Sequence, residues 1–122
     1  MAQVAHNAET DAVNMSEIMQ QFIEPFLESV ATADDLRNLV ALASIAWNVT
    51  LLPPERRQAA LDEMLAALPP GLRTGAEAPV QVMMDRKFQH FAEFKRPVLR
   101  FNVQTLEDGN FYLQIAALPW DV

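Results

Sequence analysis

The sequence predicts an α+β domain: three to four helices packed around a central buried helix at about 36–52, followed by a C-terminal antiparallel β-hairpin at about 98–106 and 110–118. Three observations carry this reading. Apolar residues recur at helical spacing from Met15 to Phe94, strand-type alternation is confined to the stretch after Pro97, and no linker divides the 122 residues. A chain of this length suffices for one hydrophobic core, and a hydrophobic content of 51% excludes wholesale disorder.

Residues 1–12 are small and polar and read as a flexible N-terminal tail. From Met15 the stripe Met15, Ile18, Met19, Phe22, Ile23, Phe26, Leu27 and Val30 keeps helical phase across Pro25, which predicts a helix kinked at the proline. Thr32 and Asp35 have capping-box spacing and open the next helix. That helix is apolar nearly all round, the mark of a buried centre. Within it Trp47 needs a partner for its N–H, and Asn48 must satisfy its amide inside the fold or at an interface, a modest pointer to self-association.

Pro53-Pro54 ends this helix, and Pro54 suits the first position of a third, whose stripe is Ala60, Leu61, Met64, Leu65 and Leu68. Residues 69–79 hold three prolines and two glycines and read as a loop. A fourth helix at 79–95 carries Val80, Met83, Met84, Phe88 and Phe91 inward, with Lys87 at the edge of the stripe, until Pro97 closes it.

The hairpin is decided by register. A three-residue loop at Glu107-Asp108-Gly109 sets Phe111 opposite Thr105, Leu113 opposite Val103, Ile115 opposite Phe101 and Ala117 opposite Leu99. One face is then apolar, and the other collects Arg100, Asn102, Gln104, Tyr112 and Gln114. A two-residue turn would mix both faces.

The charge of −7 argues against a general nucleic-acid binder, which needs clustered bases. The charge is also polarised. Residues 1–36 carry seven acids and no lysine or arginine, whereas Arg86, Lys87, Lys95, Arg96 and Arg100 gather between 85 and 100. There is no cysteine, no 18-residue apolar run and no secretory signal pattern, so the reading is cytoplasmic with no membrane association. No nucleophile accompanies His90, one histidine with one carboxylate is below the usual metal-ligand count, and no H-x-x-x-H spacing exists, so neither a catalytic set, a metal nor a cofactor is expected.

The leading functional expectation is a non-enzymatic protein-binding or assembly module that homodimerises through its hairpin edge or its helices, because a two-stranded sheet has two open edges; an extended peptide from another protein is the alternative occupant. A second expectation is a small enzyme or ligand-binding domain with its site between helix 79–95 and the hairpin, using His90, Glu93, Arg100 and Tyr112. A third is an adaptor or chaperone for an acidic partner, using the basic residues of 86–100. The candidate binding residues are therefore Arg86, Lys87, His90, Lys95, Arg96, Arg100, Asn102, Gln104, Tyr112 and Gln114.

Overall fold

Helices and a small sheet share one core, and the order of elements follows the α+β expectation. The computed structural model describes Val4–Ala5 and residues 15–118. Its elements are β1 (Val4–Ala5), α1 (Met15–Ile23), a 3-10 helix (Glu24–Ser29), α2 (Ala33–Thr50), α3 (Pro54–Ala66), α4 (Pro70–Arg73), α5 (Glu77–His90), β2 (Val98–Thr105) and β3 (Phe111–Ala117). Apart from Val4–Ala5, the segment 1–12 lies outside the described residues. Among those described, no helix is long and apolar enough to cross a membrane.

Pro25 acts by changing the helix type. α1 ends at Ile23, and the chain runs on directly into the 3-10 helix, with Pro25 in its first turn where a missing N–H costs least. The stripe stays in phase, so Met15, Ile18, Met19, Phe22, Ile23 and Leu27 are all buried.

α2 opens with the expected capping box. Thr32 Oγ1 accepts the Asp35 N–H at 3.1 Å, and Asp35 Oδ2 accepts the N–H groups of Thr32 and Ala31 at 3.1 and 3.0 Å. The Ala31 and then the Thr32 backbone donors hold the Asp35 carboxyl below its usual pKa. Along α2, Leu36, Val40, Ala43, Ala46, Trp47 and Val49 are buried, as a central helix requires. Phe22, Trp47 and Phe91 meet at its C-terminal half, with Phe22 edge-on to both partners at 5.3 Å.

α4 is a single turn within the stretch read as a loop, and α5 is shorter than the 79–95 expected. Phe91 leaves helical geometry at φ −130°, so Phe94, Lys95 and Pro97 follow outside the helix. The cause is local. The Phe91 N–H donates to Lys87 O at 2.9 Å, and the Lys87 ammonium donates to Phe91 O at 2.8 Å, which closes the last turn upon itself.

The hairpin has the predicted loop and register over most of its length. Thr105 faces Phe111, Val103 faces Leu113, and Phe101 faces Ile115. Gly109 has φ +85°, the left-handed conformation that a three-residue loop needs. The pairing of Leu99 with Ala117 is corrected: Ala117 faces Val98, and a bulge at Leu99 separates that pair from Arg100 and Ala116. The bulge turns Val98 into the core and leaves Leu99 61% exposed.

Both edges of the hairpin meet other parts of the chain. β1 runs parallel to β3, Val4 beside Phe111 and Ala5 beside Tyr112, giving the strand order β1-β3-β2. Further along β3, the Ile115 N–H donates to the buried Ser16 Oγ at 2.9 Å. On the outer side of β2, the Asn48 amide pairs twice with Val98: Nδ2 donates to Val98 O and Oδ1 accepts the Val98 N–H, both at 2.8 Å. Arg37 Nη2 donates to Val103 O at 3.3 Å. Eleven residues of helix and five of strand each span about 16 Å, so α2 runs alongside β2 in the opposite direction. Arg37, Ala41, Ser44 and Asn48 form the stripe of α2 nearest that edge, and Ser44 Oγ there is buried without a hydrogen bond. A helix laid along a strand edge is one of the ways sheets avoid open pairing.

Candidate functional site

Helical phase places Lys87 at the centre of the inward face of α5. At about 100° per residue, Val80, Met83, Met84, Lys87 and Phe91 fall within roughly one quarter of the helix, while Phe88 lies on its flank. The structure follows that arithmetic and corrects the expected stripe: Lys87 is 2% exposed and Phe88 43% exposed. Polarity alone had suggested the reverse.

The Lys87 side chain crosses the Trp47 indole and ends with its ammonium 4.6 Å from the ring centroid, hydrogen bonded to Phe91 O. It lines a pocket of about 250 Å³ with Thr50, Leu51, Phe88, Ala92 and Lys95. The walls are the C-terminus of α2, the end of α5 and the turn after it. Arg57 of α3 stands at the rim, 4.9 Å over the Phe88 ring, and donates to Leu52 O and Thr50 O at the carbonyl end of α2. Burial, and secondarily the charge of Lys95, push the Lys87 amine down to about 8. The ion pair of Arg37 with Asp34 lies far along α2, and among the described residues no carboxylate pairs with either lysine.

One compositional fact singles this place out. Of the nine cationic residues seven are arginine, and the only two lysines in the chain, Lys87 and Lys95, both line this pocket. That signal was available in the sequence. A wider groove of about 760 Å³ lies between α3 and α5, but Asp62, Arg73 and Glu77 there offer charges of both signs.

Of the other basic residues of 86–100, Arg86 and Arg96 are engaged in holding the chain together. Arg86 donates to Phe22 O at 2.9 Å and to Gln21 O at 3.1 Å, at the end of α1, and stacks on Phe91. Arg96 is buried, and its Nε donates to Leu118 O at 2.6 Å. Three of the five bases therefore bind main-chain carbonyls, leaving Lys95 and Arg100 exposed to solvent. Asn102, Gln104 and Gln114 are exposed on the outer face of the sheet and Tyr112 is half-buried there. His90 and Glu93 are exposed at the end of α5 and in the turn after it, whereas Arg100 and Tyr112 project from the sheet face turned away from the helices. The fold does not gather these four into one site. Among the described residues no group of three metal-binding side chains assembles either.

Comparison with protein-family models, with curated proteins and with solved structures finds no match to this chain.

Proposed function

We propose that this protein is a small-molecule binding domain whose ligand carries an anionic group, taken up in the pocket of Lys87 and Lys95. The observation that carries the reading is the placement of both lysines of the chain on one small cavity whose described lining holds no carboxylate. A buried ammonium without a counter-charge is costly, and an anion entering the pocket supplies what the fold leaves out. Leu51, Phe88 and Ala92 give the pocket an apolar wall beside its two ammonium groups. Inorganic phosphate and acetate are suitable probes. Each is expected to shift the Trp47 indole N–H signal saturably, with affinity in the millimolar range, about −4 kcal/mol, weakened by added salt and by Lys95→Gln. An unmoved indole signal at saturating phosphate and acetate would sink the reading.

A second reading, a cytoplasmic protein-binding or assembly module that homodimerises, is favoured by one feature of β2. The bulge turns Leu99 outward at 61% exposure, beside the half-buried Phe101 and the uncovered polar face. A second copy pairing there has to displace Arg37 from Val103 O. Light scattering at micromolar concentration decides it: a mass near 27 kDa supports the dimer, about twice the 13.7 kDa chain, and a mass of one chain removes it.

A further inference from the structure

Resting on the anion-binding reading, we propose that Lys87 captures a carbonyl group: its Nζ condenses reversibly with the aldehyde or ketone of a small molecule whose carboxylate or phosphate is held by Lys95. The ligand class is a small oxo-acid or phosphorylated carbonyl compound. At about 30 Å³ per water, a pocket of about 250 Å³ displaces roughly eight waters, enough for a ligand of fewer than about ten non-hydrogen atoms.

The chemistry needs an amine that is partly neutral, fixed in place and sheltered from water. Lys87 is held at the pocket wall by Phe91 O and the Trp47 ring. With its pKa lowered to about 8, on the order of a tenth of the amine is neutral at pH 7, against fewer than about one in a thousand for an ordinary lysine. The neutral nitrogen attacks the carbonyl carbon with its lone pair, and the carbonyl oxygen takes a proton. That proton comes from the attacking nitrogen and a second comes from solvent, so the carbinolamine loses that oxygen as water while the nitrogen lone pair forms the C=N bond. No electrons are gained or lost overall. The protonated imine keeps one N–H, which Phe91 O is placed to accept, and its positive charge lies over Trp47. Lys95 confers selection, since a carbonyl compound without an anionic group gains nothing from it.

The test is reductive trapping on the full chain. Glyoxylate and acetaldehyde are each added at pH 7.5 with cyanoborohydride, and modified peptides are mapped by mass spectrometry. Only Lys87, Lys95 and the N-terminal amine can react as primary amines. The expected result is modification of Lys87 at least tenfold faster than Lys95, faster with glyoxylate than with acetaldehyde, and a preference for glyoxylate that Lys95→Gln removes. Equal labelling of both lysines, or equal rates with the two aldehydes, overturns the proposal. If phosphate and acetate still shift the Trp47 signal while Lys87 stays unlabelled, carbonyl capture falls and the anion-binding reading stands; if neither occurs, both fall.

Discussion

Asn48→Ala is expected to destabilise the protein by about 2–4 kcal/mol and to lower its melting temperature by on the order of 10 °C. The side chain of Asn48 serves as a partner for one residue of the sheet. Its two bonds satisfy both main-chain groups of Val98, which is itself only 6% exposed. Truncation leaves a donor and an acceptor without partners, and each such loss costs about 1–3 kcal/mol. Asn48→Asp separates the two bonds. A carboxylate still accepts the Val98 N–H, but it faces Val98 O with no hydrogen to donate. This variant is expected to be at least as unstable as Asn48→Ala at pH 7 and to recover as acid protonates the new carboxyl, which then donates to Val98 O. Urea unfolding at pH 7 and pH 4 measures both effects. A loss below about 0.5 kcal/mol for Asn48→Ala would mean that water replaces the amide and that α2 does not close this edge.

That pair of hydrogen bonds also bears on what is readable in the sequence. An asparagine inside an apolar helix signalled a polar partner, and self-association was the nearest inference. The partner is the first residue of β2, fifty positions away, and no local pattern predicts a pairing at that distance. The hairpin register was legible because alternation and a glycine loop constrain it together. The bulge was not, because Val98 and Leu99 are both apolar and either reads as the inward residue. β1 has no signature in the sequence because two residues carry no period. Its pairing with β3, the Ser16 hydroxyl and the polar stripe of α2 together answer how a two-stranded element is sheltered within a single chain.

The basic stretch 86–100 shows a second limit of reading by residue type. Five bases in sequence suggested a surface patch, yet helical phase and the ends of elements decide where each one goes. Arg86 caps α1 and Arg96 secures the end of β3, both through carbonyls that helix and strand termini leave unpaired. Lys87 was the legible exception: its angle on α5 matched the core positions. Residue type alone, which favours lysine at the surface, points the other way.

Lys87→Met tests how far the fold tolerates that exception for the sake of a site. Methionine keeps much of the length and apolar volume and removes the buried charge. The sign follows from linkage. In the unfolded chain Lys87 takes its ordinary value of 10.5, and in the fold about 8. Between these values the unfolded state binds more protons, so the contribution of Lys87 to stability rises with pH across that window. Below pH 8 both states are charged, and the full cost of burying the ammonium is present. The titratable groups nearest to it, Lys95 beside it and Arg57 at the rim of the pocket, are also bases, so no described acid reverses the trend. The variant is expected to be more stable than the parent at pH 7 by on the order of 1–2 kcal/mol, the scale found when buried charges give way to apolar side chains. The lost bond to Phe91 O limits the gain. The advantage is expected to shrink steadily from pH 8 to pH 10.5, which thermal unfolding at half-unit intervals would follow. A purely structural lysine, retained to close the last turn of α5, makes the opposite prediction: Lys87→Met is then less stable than the parent at pH 7. A more stable variant that no longer binds phosphate or acetate would show that Lys87 serves the pocket at the expense of the fold.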